Sequence, residues 1–520
     1  MKHCRHGLSL ILLLVLWVIP QPEMQAQAQA QDQDQALESS RLSSQIDEII
    51  DAEEFKNAFW GVTVIDLESG QTLYERNAGK SFVPASNMKL YSTSAALDLL
   101  GPSYVYQTRV YIDGPVDDGV LYGNLIVRGA ADPTIGGHYD ALTGEWEAEV
   151  DAVHVFREWA DSLRSAGVTR IEGDIIGDDD VVDDVPLGPG WSWDDETYYY
   201  AAQLSGLSFN DNVVHMHVEA EDRGGPARIW WDPINTDYVD VINRSRSVHP
   251  DSSMDEGYLR HRNTNTIEVT TLVPLGDNDI EEITVENPTL FFAHVLRETL
   301  QNAGVAVAGD AVDVDFISIK PNYSAPMIRR VAVHRSRTLS DIVRMVNKPS
   351  QNLYADMLIK TLAAEFPRQS EDEKPGSTEL GLEVAMQTLV KAGIDTSGIQ
   401  LADGSGLSRH NLVTPGMTVS LLRYMWNYPD DRVRAAFYNS LPVAGVEGTL
   451  RNRMRSGPAR ENLRAKTGSL SNASSLSGYI QAADGTPLAF AAMCNHFTTR
   501  TRDVRRAQDL LADVLAGFRK

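Results

Sequence analysis

A chain of 520 residues has the length for two or three domains and a large core. Its 46 basic and 72 acidic side chains give a net charge of −26, which excludes nucleic acid and anionic membrane as main partners, since both require a basic footprint. Of its two cysteines one is Cys4, so a chain processed after that point keeps Cys494 alone and no internal disulfide can hold the fold.

The N-terminus carries Lys2, His3, Arg5 and His6 ahead of an apolar run from Leu8 to Ile19. That run is shorter than the roughly 20 residues needed to span a bilayer, and Ala26, Ala28 and Ala30 offer small-residue cleavage sites. Residues 1–30 therefore read as a secretory signal, with export to the periplasm and no transmembrane segment in the mature chain as the expectation. Cys4 precedes the apolar run, the wrong place for lipid attachment. The Gln/Ala/Asp tract continues to Ala36, and residues 31–41 read as a low-complexity linker.

Order begins near Leu42, where Leu42, Ile46, Ile49 and Ile50 recur at helical spacing. Phe59 to Tyr74 reads as a hairpin turning at Glu68-Ser69-Gly70. Met88, Tyr91, Ala95 and Leu99 predict a helix stopped by Gly101-Pro102, with Ser86 at its N-terminus, where free N–H groups favour negative charge. From Tyr104 to Ile317 short alternating runs predominate, as in residues 123–129, 171–176 and 213–218, with helical patches near residues 153–163 and 292–303. Thr338 and Asp341 form a capping-box pattern before Leu339, Ile342, Val343 and Val346; Pro349 ends that helix and another begins at Asn352. Two strands, 476–483 and 488–493, join across Asp484-Gly485, and Val504, Ala507, Leu511, Val514 and Phe518 mark a closing helix. Helices and a sheet near both ends, interrupted by β-rich material, predict a multidomain α/β protein: residues 42–103 and 321–520 form one domain, and 104–320 are inserted into it.

Three short motifs carry chemistry, in the order Ser86-Asn87-Met88-Lys89, Ser350-Gln351-Asn352, Lys466-Thr467-Gly468. A serine hydroxyl needs a base, and at i, i+3 on a helix Lys89 shares a face with Ser86. To serve, Lys89 must titrate near pH 7 rather than near 10.4, a change of about 4–5 kcal/mol that burial or a neighbouring cation such as Lys466 supplies. Lys466 suits a substrate carboxylate, Ser350 a proton relay, and Asn352 a hold on Lys89 or a substrate amide. The N–H groups of Ser86 and Ser469 are candidates for an oxyanion hole, each such donor being worth about 2.7–4 kcal/mol in known acyl-transfer enzymes.

Other constellations read as structural. Ser208-Phe209-Asn210 repeats the second motif, but inside strand and turn. His215 and His217 share a strand face without a third metal ligand at a sensible spacing. Cys494 ends an apolar run, as a buried thiol does. Gly404-Ser405-Gly406 fits a tight turn, and Trp191-Ser192-Trp193 serves packing at least as well as sugar binding.

The ordered trio is the signature of penicillin-binding proteins and serine β-lactamases. About half the chain lies between Ser86 and Ser350, and a long insertion there resembles the D-alanyl-D-alanine carboxypeptidase/endopeptidase family, the class C low-molecular-mass penicillin-binding proteins. Residues 129–134 (Gly-Ala-Ala-Asp-Pro-Thr), 189–195 (Pro-Gly-Trp-Ser-Trp-Asp-Asp), 402–409, 444–450 and 465–470 resemble that family too. The resemblance implies a transpeptidase-like domain, an antiparallel sheet flanked by helices, whose insertion forms two smaller domains. It implies cleavage of D-Ala-D-Ala stem peptides and cross-links of peptidoglycan through an acyl-serine, with β-lactams acylating the same serine. By motif, Ser86 is the nucleophile, Lys89 the base and Ser350 the proton relay; Asn352, Lys466, Thr467, Gly468 and Ser469 bind substrate. Gln351 stands where Asp is common. No metal or organic cofactor is implied. The alternatives are a β-lactamase and a non-enzymatic peptidoglycan-binding scaffold.

Overall fold

The computed structural model describes residues 37–140, 143, 146–147, 150–366 and 375–520. The signal, and the linker as far as residue 36, lie outside them. Residues 37–41, expected as linker, already belong to a helix over residues 37–50, where Arg41 and Glu38 pair at i, i+3.

Period-two alternation builds the central sheet. Phe59–Asp66 turns back into Thr72–Arg76 on one side and pairs along its whole length with Pro487–Asn495 on the other. Ala473–Gln481 and Arg464–Leu470 complete five antiparallel strands. Successive strand residues face opposite sides, and here both sides are covered, so nearly every position of the three central strands is buried. Trp60, Val62, Val64, Leu488 and Phe490 pack on the helix over residues 37–50 and on Thr501–Gly517. Ile65, Ala489, Ala491, Met493 and Tyr479 pack on a larger helical layer. That layer contains Met88–Leu99, Leu339–Asn347, Asn352–Glu365, Pro415–Trp426 and Asp431–Ser440.

Met88–Leu99 differs from the expected one-sided stripe: every residue from Met88 to Leu97 is buried, as suits a helix enclosed on all sides. Three helices were not read from the sequence, Thr378–Lys391, Pro415–Trp426 and Asp431–Ser440. Each has a side-chain cap, from Ser377, Thr414 and Asp430, that a search for N-caps would have found.

The inserted chain forms a mixed sheet in the order Ala311–Asp313, Ile175–Asp178, Asn124–Arg128, Gln107–Asp113, Ile328–Arg335, backed by His154–Ser165 and Pro288–Asn302. A three-stranded sheet of Arg228–Asp232, Val213–Glu219 and Asn278–Thr284 adjoins it. The expected resumption of the enclosing domain at residue 321 needs correction. Ile328–Arg335 pairs antiparallel with Gln107–Asp113, so the chain leaves the inserted sheet only just before Leu339. This strand is half-exposed without clean alternation, which hid it from pattern reading. The run 171–176 likewise splits into Arg170–Ile171 and Ile175–Asp178.

Candidate active site

Pro84 leads into a single 3-10 turn, Ala85–Asn87, that presents Ser86 half-buried at the start of Met88–Leu99. Side chains fasten this turn to the sheet. Buried Asn87 donates to the Lys466 carbonyl at 2.8 Å and accepts from Ser477 Oγ at 2.6 Å, while Ser475 Oγ donates to the Pro84 carbonyl at 2.6 Å. The strand Arg464–Leu470 comes so near that a Cβ on Gly468 would lie 2.2 Å from Ser475 Oγ, 2.7 Å from Pro84 O and 3.0 Å from Ser86 N. Only glycine allows that approach.

Lys89 is fully buried one turn along, its Nζ 3.1 Å from Ser86 Oγ, 2.6 Å from Asn352 Oδ1 and 2.8 Å from the Ser405 carbonyl. Burial pulls its pKa down to about 7, partly countered by the carboxylates of Asp356 and Asp403. Burial is thus the cause, where the sequence also offered Lys466. The repulsion between the two ammonium groups shows on Lys466, held well below its ordinary value by burial first and the charge of Lys89 second.

Ser350 adopts φ 73° in the loop between two helices, and its hydroxyl accepts from Lys466 Nζ at 2.8 Å. The Gln351 side chain accepts from Leu353 N at 3.2 Å, so this middle position caps the helix Asn352–Glu365. Asn352 accepts from Lys89 and donates to the Tyr200 carbonyl, 2.7 Å away in the insertion. Thr467 Oγ1 lies 2.8 Å from Thr449 Oγ1, and Thr449 N donates to the Lys348 carbonyl at 3.0 Å, tying the strand to the Ser350 loop. Ser469 is exposed one residue beyond Gly468. Ser86, Lys89, Ser350, Asn352, Lys466 and Thr467–Ser469 are therefore all brought together.

Sequence reading missed the support beneath them. The turn at Gly404-Ser405-Gly406 does form, but its Ser405 carbonyl is a ligand of Lys89, and a Cβ on Gly406 (φ 86°) would strike Ala85 O at 1.9 Å. Two buried acids shape it. Asp356 accepts from Gly404 N and Ser405 N, and Asp403 accepts from Gly406 N, Ser408 N, Asn411 Nδ2 and Trp191 Nε1. Burial and the charge of Asp403 push Asp356 up to about 7. An acid read as a surface charge gives no sequence signal of such a role. A cleft of about 860 Å³ opens above Ser86, walled by Ser350, Asn352, Thr467 and Gly468 on one side and by Asp195, Tyr199 and Tyr200 of the insertion on the other.

The competing residues have other duties. Trp191 braces Asp403, while Trp193 is exposed. Ser208 and Asn210 are spent on backbone carbonyls of their own turn. His217 bonds Asp232 at 2.9 Å and stacks on Trp230, and His215 lies buried against His138 and Glu282. Cys494 is buried, which pushes its thiol pKa up, away from the nucleophilic thiolate.

Residues 42–515 match the D-Ala-D-Ala carboxypeptidase 3 (S13) family. The chain belongs to that family. It is similar to the D-alanyl-D-alanine carboxypeptidase of Actinomadura sp. (strain R39), 32% identical over 88% of this chain and 81% of that one. It is also similar to D-alanyl-D-alanine carboxypeptidase DacB of Haemophilus influenzae, 27% identical over 84% of this chain and 86% of the other. Among solved structures, penicillin binding protein 4 (dacB) from Haemophilus influenzae shares the fold with a TM-score of 0.74 at 24% identity, over 90% of this chain and 97% of that one.

Proposed function

We propose that this S13-family carboxypeptidase cleaves the D-alanyl-D-alanine bond of peptidoglycan stem peptides, and their cross-links, through an acyl-enzyme on Ser86. The observation that carries the reading is the buried Lys89, 3.1 Å from Ser86 Oγ and able to shed its proton near neutrality. Unprotonated Nζ takes the hydroxyl proton as Oγ attacks the carbonyl carbon. The N–H groups of Ser86 and Ser469 receive the negative charge that develops on the carbonyl oxygen. Collapse of the tetrahedral intermediate breaks the C–N bond, and Ser350 passes a proton to the departing amine of D-alanine. Water then hydrolyses the Ser86 ester and restores the hydroxyl. Lys466, fully buried behind the Ser350 hydroxyl, attracts the substrate's terminal carboxylate by its charge; that anion favours the ammonium form of Lys466, so substrate binding draws a proton to it. A β-lactam presents its ring amide to the same Oγ.

Periplasmic location follows from the apolar run behind a basic start. Among the described residues no helix is long and apolar enough to cross a membrane. Brief exposure of the purified protein to a labelled penicillin, followed by intact mass measurement, tests the assignment. One adduct per chain, absent from Ser86→Ala, is expected. A folded wild-type protein that stays unlabelled overturns it.

A further inference from the structure

The strands Ile175–Asp178 and Ala311–Asp313 run parallel and end side by side, which places Asp178-Asp179-Asp180 next to Asp313-Val314-Asp315. Asp184 closes the group from the following loop. One carboxylate oxygen from each of Asp179, Asp184 and Asp315 lies within 4.8 Å of the others. Two oxygens on opposite sides of a calcium ion are about 4.6–5.2 Å apart, from Ca–O distances of 2.3–2.6 Å, so one ion can touch all three.

Proximity of acids alone would not point to a ligand; Asp179 supplies the second observation. It is 8% exposed, and its Oδ2 accepts from the hydroxyls of Ser205 and Thr289 while its Oδ1 is buried without a hydrogen-bond partner. A buried, unsatisfied carboxylate oxygen is costly unless something positive meets it. Lys320 does not meet that need, because its ammonium bonds Asp180 at 2.6 Å and Asp315 at 3.1 Å and makes no bond to Asp179.

We infer that Asp179, Asp184 and Asp315 bind a hard divalent cation, calcium in preference to magnesium, at the carboxyl ends of two inserted strands. Three carboxylates suit an oxygen-seeking ion, and calcium tolerates an irregular cage completed by water and backbone carbonyls, where magnesium demands an octahedron. The ion has a structural role distinct from acyl transfer. The loop it fixes is held at Asp183 and Val185 by the buried Lys360 of the helix Asn352–Glu365, and continues to Ser192, Asp195 and Tyr200 at the cleft. The sequence offered no sign of it, because residues 179 and 315 meet only through strand pairing.

Chelator-treated full-length protein, titrated with CaCl2 and separately with MgCl2 at pH 7.5, tests this by calorimetry and thermal unfolding. One calcium per chain is expected, with a saturable rise in unfolding temperature. Asp184→Asn and Asp315→Asn, both at exposed positions, should each lose roughly tenfold or more in affinity, as affinity follows ligand charge. No saturable binding of either ion below roughly 10 mM, weaker than extracellular calcium modules, overturns the inference. So does a temperature rise that Asp184→Asn keeps in full, or stabilisation by lower pH alone, which would mean that a shared proton fills the site.

Discussion

Lys89 has two opposing influences on its proton. Burial drives the proton off, and the carboxylates of Asp356 and Asp403 hold it on. Asp356 touches neither Ser86 nor the cleft; it acts through charge and through the turn whose Ser405 carbonyl meets Lys89 Nζ. The base form of Lys89 prevails above about pH 7, so the rate constant for acylation by penicillin should climb as pH rises through that value and then level off. Asp356→Asn keeps an oxygen for the Gly404 and Ser405 amides but removes a negative charge, which favours the neutral amine. The rising limb should therefore move to lower pH while the plateau stays within a few-fold of wild type. Rates between pH 5.5 and 9 decide it: a midpoint unmoved by the substitution removes Asp356 from the control of Lys89.

At the scale of elements, the site depends on one strand pressing against one turn. Arg464–Leu470 is the last strand of its sheet, and its contact with Ala85–Asn87 passes through the bare Cα of Gly468. In Gly468→Ala the new methyl meets backbone atoms of Pro84 and Ser86 that cannot swing aside, as well as the Ser475 hydroxyl. The strand must move outward, and a displacement of about 1 Å near reacting groups costs on the order of 100-fold in rate. Overpacking at one such contact costs about 1–3 kcal/mol, little enough to leave the domain folded. Acylation should thus fall far more than urea stability does, and equal retention of both would show that the approach is not needed. The motifs in this contact were legible in sequence because each is local: Ser86 and Lys89 are one helical turn apart, and Lys466 to Ser469 lie on one strand. The hairpin near Phe59, the closing helix and the Thr338 cap were legible for the same reason. Asp356 and Asp403 were not, since their roles arise only when a loop from residues 402–409 folds over a helix 50 positions earlier and is buried there. The strand Ile328–Arg335 escaped because a half-exposed edge lacks the period-two signal.

For the whole molecule, the insertion supplies one wall of the cleft and is more than an appendage. Asn352, which holds Lys89, also donates to the Tyr200 carbonyl, and Trp191 donates to Asp403, the acid that organises the turn around Ser405. Both bonds cross from inserted to enclosing chain. Asp403 is fully buried, so each of its acceptor oxygens is satisfied by a fixed donor and losing one leaves a buried charge short of a partner. Trp191→Phe keeps the aromatic bulk that packs beside the helical layer and removes only the indole N–H. A hydrogen bond to a charged group contributes about 1.5–3 kcal/mol, and that loss should appear in urea unfolding. If the insertion only covers the enclosing domain, nothing else changes. Because the lost bond lies two residues from Ser405, whose carbonyl positions Lys89, penicillin acylation should slow as well, with its pH midpoint displaced. Loss of stability with an unaltered acylation profile would mean that the insertion shelters Ser86 and Lys89 without helping to align them.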